Sequence, residues 1–268
     1  MIPPLPRRDS FSAAIDGIDP SLPGVDLELF ELVAHQLDRF HALGPFERRD
    51  PAFRILDGLA SWARTWGGQG SPYERVLLQV WNPTQTWLNA TFVDLFPNEA
   101  AVVNSLPLPR FVTMQGLGSS IALVLSHRPT WTIGAALLTE NMDAAAASWA
   151  LIHGIEQKLA NGWIGEEMIG WIVGGRIERD GPRFSLIRQA LLEARVPDDR
   201  IDSPWSPRTP DTGPIHAFFD RTEGTLRPFN PGFDPVYYNM RTRLDREASR
   251  VRSTKEDPML IWAFQEVR

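Results

Sequence analysis

The residues best placed to do chemistry are two serines, Ser119 and Ser120, in the stretch TMQGLGSSIALVL from Thr113 to Leu125. A Gly116-Leu117-Gly118 turn delivers them to the head of an unbroken apolar run. Such a turn presents a small hydroxyl residue at a strand terminus, the position of a nucleophile. A serine hydroxyl attacks a carbonyl only with a base in hydrogen-bond contact, so the chemistry asks for a second residue. The chain has no cysteine and five histidines. His127 follows the apolar run, about 20 Å from Ser120 along an extended chain, and stands at the wrong end. His153 lies between Leu151 and Ile155 on a helical pattern and reads as a helix-surface residue. Glu140 could reach toward a pocket but reads as a helix-entry carboxylate near Asn141.

Other constellations are thinner. His35, Asp38 and His41 recur at i, i+3 and i+6 and could bind a metal with outside ligands, but they read as a solvated helix face. The arginines 241, 243, 246, 250 and 252 are interleaved with Asp245 and Glu247 and read as a charged helix surface. Among ten tryptophans, Trp62, Trp66, Trp81 and Trp87 either line an interaction groove or pack a core. No metal and no cofactor is expected. A net charge of −6 and a pI near 5.4 argue against nucleic acid as a partner. The absence of cysteine excludes a disulfide framework and a thiolate site. No run approaches the roughly 18 apolar residues of a membrane span, and the N-terminal arginines precede no apolar stretch. The expectation is a soluble, cytoplasmic protein.

The elements that must hold these residues follow from periodicity. Residues 1–25 carry five prolines and read as irregular. Phe30, Val33, Leu37 and Phe40 mark an amphipathic helix capped by Asp26, and Ile55, Leu59, Trp62 and Trp66 a second. From Tyr73 to Leu108 the short apolar runs VLLQVW and ATFVDLF read as strands or short mixed elements, and a boundary is placed at Leu106–Pro109. IALVL reads as a buried strand and Thr132–Leu138 as its hairpin neighbour. Asp143–Asn161 is a helix, Met168–Val173 a strand, and Phe184 to Ala194 a further helix. PIHAFFDRTEGTLRP gives two strands joined at Thr222-Glu223-Gly224. A helix is expected over Val236–Val251, and the apolar MLIWAF is expected to dock onto the body.

In order, residues 111–228 resemble the chemoreceptor glutamine deamidase family CheD, whose fold is shared with cytotoxic necrotizing factor toxins. FVT-M-QGLGSS-IALVL is similar to the family's Thr-x-Gly-Leu-Gly-Ser-Cys and strand, and IGAALL to its Gly-rich strand leading to a histidine. A long helix follows, then IVGGRI, similar to the strand ending in Gly-Gly. Asp211-Thr212-Gly213 and TEGTL are similar to its closing hairpin.

The resemblance implies an α+β fold with a CheD-like layered β core flanked by helices at 106–230. An added helical region covers 1–105 and a C-terminal segment 231–268. The family's nucleophilic cysteine falls on Ser120 and its histidine on Leu138, while Thr113 matches its supporting hydroxyl with one residue inserted before Gly116. His216 lies near the site in the resembled fold. The implied function is a non-catalytic CheD-like protein that binds a bacterial signalling or chemotaxis partner through Gly116, Leu117, Gly118, Ser119, Leu138, Gly174 and Gly175. The alternative is a serine-based amidohydrolase or glutamine deamidase using Ser120 and Thr113 with His216 as relocated base.

Overall fold

The structure is a computed structural model, and it describes residues 4–21, 25–65, 72–104, 109–117, 120–159, 162–163, 165–175, 177–203, 216–229 and 259–264. They form an α+β fold divided into two compact units, Met1–Thr91 and Phe92–Arg268.

The first unit is helical, with α1 (Arg8–Asp16), α2 (Leu27–Ala42), α3 (Arg49–Thr65) and α4 (Pro72–Thr91). α2 begins where Asp26 accepts the Leu29 amide at 2.9 Å, and Phe30, Val33, Leu37 and Phe40 are its buried stripe. Two expectations are corrected. Residues 1–25 contain α1, because all five prolines fall outside it and Phe11 anchors it as a buried side chain. VLLQVW is not a strand but part of α4, whose buried Leu77, Val80, Thr84 and Leu88 recur at helical spacing. Pro83 removes one backbone donor from that helix, and the Thr84 hydroxyl donates to the Val80 carbonyl at 2.7 Å across the proline. On α2, Asp38 pairs with Arg8 at 2.9 Å and His41 Nε2 lies 3.1 Å from the Pro6 carbonyl. Among the described residues, no group of three or more His, Cys, Asp or Glu is placed to hold a metal, and no helix is long and apolar enough to cross a membrane.

The second unit starts before the expected boundary near residue 106, because β1 (Phe92–Leu95) and β2 (Glu99–Val103) are strands of its sheets. Next come β3 (Phe111–Met114), β4 (Ser120–His127), β5 (Thr132–Thr139), α5 (Ala144–Glu156), β6 (Met168–Gly174) and α6 (Ile177–Glu193). β7 (Ile201–Asp202), β8 (His216–Asp220), β9 (Thr225–Phe229) and β10 (Met259–Ala263) complete it. The strands make a six-stranded sheet, β10-β2-β5-β4-β6-β7, and a four-stranded sheet, β1-β3-β8-β9. β10, from the apolar MLIWAF ending, pairs antiparallel with β2. The helix expected over Val236–Val251, Trp66 and Asp211-Thr212-Gly213 lie outside the described residues.

IALVL is apolar at every position because β4 is buried on both faces. Ile121, Leu123 and Leu125 pack with Leu151 and Ile155 of α5 and Ile187 and Leu191 of α6. Ala122 and Val124 pack with Val112, Met114, Ala217 and Phe219 of the four-stranded sheet. The result is three layers: two helices, the six-stranded sheet, and the four-stranded sheet. α5 is set by Asp143, which accepts the Ala145 and Ala146 amides at 3.0 Å. It lies close to β5 because Gly134 has no Cβ, which would sit 2.5 Å from Ile155 Cδ1.

Candidate functional site

The glycine turn leaves β3 through Gln115, and Gly116 adopts φ of 75°, the left-handed region open to glycine. Gly118 and Ser119 lie outside the described residues. Beside the turn, β6 ends in Gly174 and Gly175, and the Gly175 N–H donates to the Leu117 carbonyl at 2.8 Å and the Ser120 carbonyl at 2.9 Å. The two glycine motifs, distant in the chain, close on each other. Gly174 has φ of 85°, and a Cβ there would lie 2.6 Å from the Ser120 carbonyl oxygen and 2.8 Å from that of Leu117.

Strand alternation decides which side chains meet. Ser120, 2% exposed, heads β4 on the face of Ala122 and Val124, toward the four-stranded sheet, with Thr139 as its partner on β5. Leu138 pairs instead with Ile121, belongs to the helix-side cluster and is fully buried. The residue aligned with the family's histidine therefore faces the other side of the sheet from Ser120 and lines no groove. Leu117 is likewise fully buried in the inter-sheet core.

Thr113 is separated in the same way. Val112 and Met114 face the inter-sheet core, so Thr113 points from the opposite face of the four-stranded sheet, where its hydroxyl donates to the buried Asp94 carboxylate. Its place opposite Asp94 on β1 follows from the alternation of β3, whose even-numbered residues Val112 and Met114 take the inner face. His216 heads β8 on that same outer face, because Ala217 and Phe219 point inward, and its ring lies tilted against that of Phe229 with centroids 5.5 Å apart. This corrects its assignment as a base for Ser120. His153 is exposed beside Glu156 at 3.3 Å, Glu140 pairs with Arg179 at 3.1 Å, and the Thr139 hydroxyl donates to Asn98 Oδ1 at 2.6 Å.

Two polar clusters escaped the sequence reading. Next to the Gly-Gly pair, Asp180 is 1% exposed and accepts from Arg179 Nη2 at 3.0 Å and Arg183 Nη1 at 3.3 Å, while Arg183 also donates to the Thr139 carbonyl. At the β8–β9 hairpin, Asp220 accepts from Arg110 Nη2 at 2.6 Å, the Thr222 hydroxyl at 2.7 Å and the Thr222 amide at 2.9 Å. Arg221 donates to the carbonyls of Pro109 at 2.5 Å and Trp131 at 2.9 Å, and burial pulls its guanidinium down to about 10. It remains charged at neutral pH. The sequence signal available for the first cluster was the charge-rich Arg179-Asp180 and Arg183 at helix spacing.

Burial pushes the Asp220 carboxyl up, but the donors from Arg110 and Thr222 outweigh it and hold it below the usual carboxylate range. A depressed folded-state pKa stabilises the fold above the unfolded pKa, and that contribution is lost as pH falls through the folded one. Asp220→Asn is expected to cost about 1.5–3 kcal/mol at pH 7 and to flatten the loss of stability on acidification. Urea unfolding from pH 7 down through the carboxylate range checks both; an unchanged acid limb would remove Asp220 from it.

No protein-family model matches the chain, and no curated protein matches it.

Proposed function

We propose that the second unit is a CheD-like domain that binds a partner without deamidating it, with bacterial signalling or chemotaxis proteins as the first partners to test. The reading rests on the residues that carry the resemblance and on fold-level analogy. It is supported by the layered β core under α5 and α6 and by the closure of the two glycine motifs on each other. The observation that carries its non-catalytic half is the segregation of Ser120, Leu138 and Thr113 onto three different sheet faces. Hydrolysis of a glutamine amide needs nucleophile, base and oxyanion donors in one place. Loss of the base alone costs several orders of magnitude in rate.

The test uses the full chain and a purified bacterial chemoreceptor signalling domain, with binding read by interferometry and deamidation by intact mass. Saturable binding without the deamidation mass increment is expected, and Ser119→Trp, checked for native melting, is expected to weaken it at least about tenfold, a loss of about 1.4 kcal/mol. A mass increment abolished by Ser120→Ala would establish the amidohydrolase alternative instead. Absence of binding would overturn the choice of partner.

A further inference from the structure

A second hydroxyl site stands at the end of β4 remote from Ser120. His127 closes that strand, 3% exposed, and its ring is held from two sides. Nε2 lies 2.8 Å from Glu167 Oε2, and Nδ1 lies 2.7 Å from Thr130 Oγ1, which is 2.8 Å from Thr132 Oγ1. A carboxylate only accepts, so in the neutral ring the tautomer that suits these contacts has the proton on Nε2 and leaves Nδ1 as the acceptor. The Thr130 hydroxyl then donates to Nδ1, and the Thr132 hydroxyl donates to Thr130 Oγ1. The ring is used in the opposite sense from serine proteases, where Nδ1 meets the acid, but the roles are the same.

The positions are fixed by the fold. Thr130 ends the 3-10 turn Arg128–Thr130 between β4 and β5, and Glu167 ends the turn Gly165–Glu167 directly before β6. His127 sits between them, opposite Thr132 on β5 and Met168 on β6. Trp131 holds φ of 56°, its carbonyl tied to Arg221. His127 is buried while Thr130 is an exposed residue, so the base sits beneath the surface and the residue that carries the hydroxyl lies at it. The Trp131 side chain, 42% exposed, offers an apolar platform beside it.

We infer that Thr130, His127 and Glu167 form a nucleophilic site acylated by small activated acyl esters, whose good leaving groups let attack proceed without the oxyanion donors that an amide demands. Thr130 Oγ1 attacks the ester carbonyl as its proton passes to His127 Nδ1, forming the Oγ1–C bond. The C–O bond to the leaving group then breaks, and the imidazolium returns the proton to the departing alcohol. Water, deprotonated by the same nitrogen, cleaves the acyl-threonine to a carboxylic acid and restores the hydroxyl. Glu167 acts as a positioning residue that fixes the tautomer.

The test treats the full chain with an alkyl fluorophosphonate probe, maps the adduct by peptide mass spectrometry, and follows p-nitrophenyl acetate hydrolysis. The adduct is expected on Thr130, absent in Thr130→Ala and retained in Thr130→Ser. Removal of the base in His127→Gln is expected to slow labelling about 100-fold. Glu167→Gln is expected to slow it and to shift its pH profile, with recovery in Glu167→Asp, a pattern a purely structural contact would not give. A wild-type chain that is unlabelled, or labelled away from Thr130, overturns the site, as does ester turnover unchanged in Thr130→Ala. An adduct on Ser120 would overturn the non-catalytic reading of the glycine turn as well.

Discussion

Asp180→Ala is expected to destabilise the second unit by about 3–5 kcal/mol, lowering Tm on the order of 10 °C. Asp180 is 1% exposed, and its carboxylate stands between Arg179 and Arg183. The Arg183 side chain is only 15% exposed, so deleting the carboxylate leaves a guanidinium largely out of water beside the end of β5. Arg179 is 39% exposed and can turn to solvent, so its half of the cluster contributes little. The cost comes from the orphaned charge more than from the lost attraction. Asp180→Leu combined with Arg183→Met is therefore expected to recover most of the stability lost in the single variant. Thermal and urea unfolding of both variants check this. A single variant within about 1 kcal/mol of the parent would mean that solvent reaches Arg183 freely.

The elements legible in the sequence were those whose signal is local. Asp26 and Asp143 announce α2 and α5 because a cap acts within three residues, and IALVL announces β4 because burial on both faces leaves no polar position. α4 is hard to see in the sequence because Asn82-Pro83 masks the spacing of Leu77, Val80, Thr84 and Leu88, though one proline removes only one backbone donor. β2 is short and lies between β5 and β10, a pairing with a partner far along the chain that no local pattern states. The candidate site divides along the same line. The Gly-Leu-Gly and Gly-Gly motifs do meet, because backbone positions survive a small shift of register. Thr113, Leu138 and Ser120 do not meet, because strand alternation, which a turn motif does not report, puts Leu138 on the helix side of the six-stranded sheet, Ser120 on its other side and Thr113 on the outer face of the four-stranded sheet. The link from His127 to Glu167 joins two turns across forty positions of chain, and spacing alone gave no reason to pair them.

The glycines around the turn are expected to differ sharply when each is replaced by alanine, although all three have positive φ. At Gly174 the new Cβ would meet two backbone carbonyl oxygens, of Ser120 at 2.6 Å and Leu117 at 2.8 Å, and neither can move without breaking its bond to the Gly175 amide. Strain and overpacking together are expected to cost about 3 kcal/mol or more. At Gly175 the nearest atoms are side chains, Ile121 Cγ1 at 2.9 Å and Asp180 Oδ2 at 3.0 Å, and these have some freedom to yield. Gly116→Ala meets no atom within 4 Å and should cost only the left-handed conformation, about 1–2 kcal/mol. The order Gly174, Gly175, Gly116 is read by urea unfolding. Equal costs would mean that φ alone sets the requirement for glycine. Because Gly116→Ala leaves the packing intact, it also separates stability from recognition: a loss of partner binding larger than its loss of stability places the turn itself at the interface.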